Sequence, residues 1–224
     1  MKPFGYAAAI LFAAVALLHL TACLIHRDGI RKASKVFLVP LIAVIHIGIC
    51  GFSHPLVIAA LAFGFIGDVL LIPGKNKTCF ALGGFSFLIG HILYITHAFR
   101  EGLPQKTYAL WGIPSVIAIV CLALLFCVLA YLTVARKLGR LRIPVTVYMA
   151  ALAAMAGTMV YIMPGSGFSA PALLLAAGGV HFAVSDFLLC SGSLRALRIK
   201  NNRFFVMLTY IIAQTCLALG FALM

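Results

Sequence analysis

Residues 55–73 read PLVIAALAFGFIGDVLLIP, an apolar run with a single ionisable side chain, Asp68, near its far end. As a helix such a run crosses the hydrocarbon of a bilayer, which takes about 20 residues. Residues 170–190, APALLLAAGGVHFAVSDFLLC, repeat the pattern around Asp186. The chain has only four acidic residues. Two of them therefore stand where a carboxylate costs at least ~2.5 to 3.5 kcal/mol. Carboxylates kept at such a depth either tie helices together or take part in chemistry or transport.

Six more apolar runs surround these two. Of the 224 residues, 64% are hydrophobic and 9% charged, against about 25% charged in soluble proteins. The chain reads as an all-α, polytopic membrane helix bundle, one transmembrane domain over residues 1–224. Eight transmembrane helices are expected, at about 4–25, 36–52, 55–73, 79–99, 110–135, 143–163, 170–190 and 204–223. Turn and charge signals separate them: HRDGIRKASK, SHP, GKNK, REGLPQK, RKLGRLR, PGSGFSAP and SGSLRALRIKNNR. The first run lacks a small-residue cleavage site and reads as a retained helix, not a signal peptide.

The net charge of +13 would point to nucleic acid in a soluble protein. Here the cations sit in short loops, so no nucleic-acid partner is expected, and the charge reads as topology and headgroup contact. The first, third, fifth and seventh connections carry fourteen basic residues, among them Arg31, Lys35, Lys75, Arg140, Arg195, Arg198 and Arg203. The other side carries three, Lys2, Arg100 and Lys106. The positive-inside rule places the odd connections in the cytoplasm and both termini on the non-cytoplasmic side. Loops this short suggest a bacterial inner membrane, although an endoplasmic reticulum protein would carry the same pattern.

Seven cysteines are present without a CxxC pair, and most lie in apolar runs, so they read as small hydrophobic side chains. His19, His46, His54 and His97 read as packing or interfacial residues. No metal-binding signature stands out, and no metal and no cofactor are expected.

Orientation converts position into depth at ~1.5 Å per residue. Asp68 and Asp186 lie ~6 to 7 Å below the cytoplasmic face, and Tyr148 and Tyr210 ~7 to 9 Å below it. Lys35 opens the second helix on the same side. Gln214, His181 and His91 form a deeper layer at ~14 to 18 Å. Tyr210 and Gln214 share a helical face, as do His91 and Tyr94. Polar groups from several helices thus converge on one leaflet, which suggests a pocket open to the cytoplasm.

Each group also has a structural reading. Either aspartate could bond a lysine, a tyrosine hydroxyl or backbone. Lys35 could be a topogenic cation, a counter-ion or a phosphate clamp. Tyr148 and Tyr210 could be packing aromatics with satisfied hydroxyls. The glycines, Gly64, Gly67, Gly84 and Gly178 among them, read as places of close helix contact.

Six blocks carry a family resemblance, in order: SKVFLVPLIA around Lys35, FIGDVLLIP around Asp68, FLIGHILYITHAF around His91 and Tyr94, VTVYMAALAAMA around Tyr148, AVSDFLL around Asp186, and LTYIIAQTCLALG around Tyr210 and Gln214. On them the chain resembles the lysoplasmalogenase-like (YhhN-like) membrane family, from the second helix to the eighth. Where that family often has two adjacent tyrosines, this chain has Tyr210 and Ile211. The resemblance implies an eight-helix hydrolase that acts on lysophospholipids with a vinyl ether at glycerol sn-1. It would release a fatty aldehyde and glycerophosphoethanolamine or glycerophosphocholine.

A vinyl ether is hydrolysed by slow protonation of the carbon beta to oxygen, then addition of water to the oxocarbenium ion. The reaction needs a carboxylic acid that still holds its proton and a second carboxylate to stabilise the cation, as in glycosidases. Asp68 and Asp186 would be that pair. Lys35 would bind phosphate or tune Asp68. Tyr148, Tyr210 and Gln214 would orient water and glycerol oxygens, with His91 behind them. Two other classes fit the polar residues: a proton-coupled lipid or small-molecule transporter, and a lipid-binding membrane protein without chemistry. Against transport, no inverted repeat or paired broken helices are visible.

Overall fold

A computed structural model describes residues 1–73, 76–102, 112–137, 139–193 and 199–224. Among these residues there is no strand and there are eight α-helices: α1 (Pro3–Leu24), α2 (Asp28–Cys50), α3 (Pro55–Leu70), α4 (Lys77–His97), α5 (Gly112–Thr133), α6 (Arg142–Gly165), α7 (Ala170–Ser193) and α8 (Asn202–Ala222). Lys75, Lys106, Arg195 and Arg198 lie outside the described residues, as do the first residues of the expected fifth span.

Local chemistry explains several ends. Pro3 and Pro55 open α1 and α3, where a missing N–H is no loss. Asn76 caps α4, its side-chain oxygen accepting from the backbone N–H of Thr78 at 2.9 Å and of Cys79 at 3.2 Å. Past His97 the chain continues as a π turn over Ala98–Gly102.

One boundary departs clearly from expectation. Helix α2 starts at Asp28, so Lys35 lies two turns inside it and does not open it. The charged segment read as a loop is helical because hydropathy marks the bilayer and not the helix. Its polar first turns are held by Asp28, whose Oδ1 accepts from Arg31 at 3.1 Å and from Arg203 of α8 at 3.0 Å.

Six helices form a closed ring in the order α2, α3, α4, α6, α7, α8 and back to α2. Helix α1 packs outside against α2 and α8, and α5 packs outside against α6. Helices α7 and α8 run close together: a Cβ on Gly178 would stand 3.0 Å from the Leu217 nitrogen and 3.1 Å from the Ala213 oxygen. Gly84, by contrast, meets nothing within 4 Å and is not a contact point. The ring interior is filled by large side chains such as Phe87, Tyr94, Met149, Phe182 and Leu217.

The outside is apolar as well. Ile10, Leu17, Phe52, Leu122 and Ile143 stand in the open, a surface that water does not tolerate and lipid does. Among the described residues six helices are long and apolar enough to cross a membrane: α1, α2, α4, α6, α7 and α8. Helix α3 and the Ile119–Thr133 part of α5 are shorter apolar stretches. The chain is an integral membrane protein. Both termini lie at one end of the bundle: the Lys2 N–H donates to the Gly48 carbonyl at 2.8 Å, and Met224 lies beside His54.

Candidate active site

Seven of the eight polar side chains placed at depth in the sequence meet inside the ring. Lys35 comes from α2, Asp68 from α3, His91 from α4, Tyr148 from α6, Asp186 from α7, and Tyr210 and Gln214 from α8. All are buried except Tyr148, which is partly exposed.

Asp68 uses both carboxylate oxygens. Lys35 Nζ lies 3.1 Å from Oδ1, and the Tyr210 hydroxyl donates to Oδ2 at 2.8 Å. Tyr210 in turn accepts from Gln214 Nε2 at 3.2 Å, and Gln214 Oε1 accepts from the Tyr94 hydroxyl at 2.9 Å. Every bond therefore points one way, from Tyr94 through Gln214 and Tyr210 to Asp68. Tyr94 completes this chain; in the sequence it is marked by a shared face with His91 and by the block FLIGHILYITHAF, and no role is given to it.

Asp186 heads a second cluster. The Tyr148 hydroxyl donates to its Oδ2. His91 Nε2 lies 3.3 Å from that hydroxyl and 3.7 Å from the same Oδ2. Next to Asp186, the Ser185 hydroxyl donates to the Val206 carbonyl at 3.1 Å and ties α7 to α8. Two rings hold the two clusters against each other: Phe182 packs edge-on against Tyr210 at 5.6 Å and against His91 at 4.7 Å, and Phe87 lies 5.9 Å from Tyr210.

Helix α3 comes close to α4 here because Gly67 precedes Asp68. A Cβ at Gly67 would fall 2.7 Å from the Phe87 ring. Beside Lys35, the Ser34 hydroxyl donates to the Ile30 carbonyl at 2.7 Å and accepts from His19 of α1 at 2.9 Å. His181 does not join the site; its Nδ1 bonds the Ala177 carbonyl of its own helix at 2.8 Å.

Two carboxyl groups, each bonded by a tyrosine hydroxyl and removed from water, form an arrangement able to give and take protons. The fold and this centre define a polytopic helical membrane protein with a buried polar site. The chain belongs to the YhhN family, whose model matches residues 30–221. No curated protein and no solved structure gives a match.

Proposed function

We propose that the protein is a lysoplasmalogen hydrolase that cleaves the sn-1 vinyl ether to a fatty aldehyde and a glycerophospho-base. The observation that supports this reading best is the pairing of two buried aspartates from α3 and α7, each with its own tyrosine donor. Family membership is compatible with it.

Asp68 has an ammonium, Lys35, to balance a negative charge. Asp186 has a phenol and an imidazole around it. Asp186 is therefore assigned as proton donor to the alkenyl carbon beta to oxygen. The ionised Asp68 faces the resulting oxocarbenium ion and accepts a proton from the water that adds. The hemiacetal then collapses: its hydroxyl proton passes to the departing glycerol oxygen, the C–O bond breaks, and aldehyde leaves. A proton returned from Asp68 to Asp186 closes the cycle. General acid catalysis of this kind supplies ~10² to 10⁴-fold, and stabilisation of the cation by fixed charge supplies further acceleration. Lys35 holds the substrate phosphate side, and the apolar interior takes the alkenyl chain.

In this reading all eight helices cross the membrane as one domain, with both termini outside and the site open to the cytoplasmic leaflet of a bacterial inner membrane. The loop charge asymmetry supports that orientation. Reporter fusions at each terminus test the sidedness.

The deciding assay follows free aldehyde from pure choline and ethanolamine lysoplasmalogens with detergent-purified protein, Asp68→Asn and Asp186→Asn in parallel. Aldehyde from the wild type alone is expected. Folded wild type that gives none overturns the hydrolase and favours transport or binding.

A further inference from the structure

At the end of the bundle that carries both termini, a second group of ligating side chains meets. His54 lies in the connection between α2 and α3, His97 is the last residue of α4, and Glu101 sits in the π turn that follows. One ring nitrogen from each histidine and one carboxylate oxygen lie within 4.8 Å of one another. Glu101 Oε2 is 3.8 Å from His54 Nε2 and 4.0 Å from His97 Nδ1. We infer that His54, His97 and Glu101 form a binding site for a divalent transition-metal ion of the zinc type, with water completing its coordination.

Four observations converge on this. The first is the donor set: two imidazoles and one carboxylate suit zinc and its neighbours better than calcium or magnesium. The second is unmet bonding. Nδ1 of His54 and Nδ1 of His97 are buried without a hydrogen-bond partner among the described residues, and His97 is only 2% exposed. Buried polar atoms left unpaired are costly, and an ion beside Glu101 accounts for Nδ1 of His97, while His54 meets it through Nε2, the nitrogen that faces Glu101. The third is space. A cavity of about 190 Å³ is lined by these three residues with Phe221 and Met224. The fourth is support from behind: His46, fully buried, donates from Nδ1 to the Ala218 carbonyl at 2.8 Å and packs its ring 5.6 Å from that of His54.

Closure is a small movement. Tetrahedral zinc with bonds of ~2.0 to 2.2 Å holds its ligand atoms ~3.4 Å apart, so the separations of 3.8 and 4.0 Å between Glu101 and the two histidines shrink by roughly half an ångström. The π turn supplies the register, since it brings Glu101 back under His97 four residues earlier, and such turns recur at functional sites. The surroundings also tolerate a cation. Among the described residues this end carries the basic side chains Lys2 and Arg100, while Arg27, Arg31, Lys32, Lys35, Arg142 and Arg203 stand at the other.

A rival set shares His54: His46, Cys50 and His54 also bring ligand atoms within 4.8 Å. Its members are already engaged. His46 bonds Ala218 and lies 3.3 Å from the Cys50 sulfur, and the Cys50 thiol donates to the His46 carbonyl. The sequence reading of His54 and His97 as packing residues misses the cluster because its ligands come from segments far apart in the chain.

The test uses the full chain, freed of any histidine tag, purified in detergent and stripped with chelator. Zinc content is measured after re-addition, and Co²⁺ is titrated while visible absorption is followed. Expected are one ion per chain, a four-coordinate cobalt spectrum, and binding weakened at least ~10-fold in His97→Ala and in Glu101→Gln. Glu101 is half exposed, so Glu101→Gln keeps the fold and decides the matter should His97→Ala not. Wild type that stays colourless with Co²⁺, or Glu101→Gln that binds as tightly, overturns the site. A sulfur-to-cobalt charge-transfer band lost in Cys50→Ala overturns it too, in favour of the rival set.

Discussion

The Lys35 ammonium stands 3.1 Å from the Asp68 carboxylate, and both groups are buried. Removing one partner of such a pair strands a charge in a dry interior, typically at ~3 to 5 kcal/mol. Lys35→Met is expected to lower the melting temperature of the detergent-solubilised protein sharply. Lys35→Met with Asp68→Asn together should recover most of that loss. A double variant no more stable than the single one contradicts the pairing.

The Tyr148 hydroxyl donates a hydrogen bond to Asp186, and Tyr148 is the partly exposed member of the site. Tyr148→Phe keeps the ring and removes the bond, which is worth ~1 to 3 kcal/mol where a buried acceptor is left short. Aldehyde release is expected to fall roughly 10- to 100-fold in kcat, with KM little changed. Full activity in Tyr148→Phe removes the hydroxyl from the mechanism.

Gln214 is the hinge of the donor chain and is wholly buried. Gln214→Leu leaves the Tyr94 hydroxyl without an acceptor and Tyr210 without a donor, at ~1 to 3 kcal/mol for each stranded group. Thermal unfolding should show a larger loss for Gln214→Leu than for Tyr94→Phe, which deletes one donor and strands one acceptor. The reverse order refutes the chain.

Gly67→Ala puts a methyl group 2.7 Å from the Phe87 ring. Overpacking of this kind costs ~1 to 3 kcal/mol. Phe87→Leu alongside it is expected to restore part of the stability, read as melting temperature. An unperturbed Gly67→Ala protein shows that α3 and α4 are less tightly joined at this point.

The sequence betrays the members of the site better than their pairings. Lys35, Asp68, Asp186 and Gln214 stand out because polar atoms are conspicuous in an apolar run. That Tyr210 goes to Asp68 and Tyr148 to Asp186 depends on how each helix is rotated about its axis, and a uniformly apolar helix carries no pattern that fixes the rotation. Tyr94 stayed half hidden for the same reason. The start of α2 was misplaced because its first two turns are polar. His54 and His97 read as packing or interfacial residues and Glu101 is not singled out, because polar residues at helix ends are the rule and nothing marks three of them as neighbours.

The uniform direction of the bonds from Tyr94 to Asp68 has a mechanical side. An amide nitrogen only donates and an amide oxygen only accepts, so Gln214 acts as a pawl. Each link can reverse only if Gln214 turns over and both phenols swing with it, as a row of dominoes falls together or not at all. Tyr94 at the far end lies flat on Phe221 at 5.9 Å, and Phe221 stands edge-on to His97 at 4.8 Å. One phenyl ring is all that separates the two polar assemblies, so whatever settles beside His97 presses on the wall against which the last domino leans.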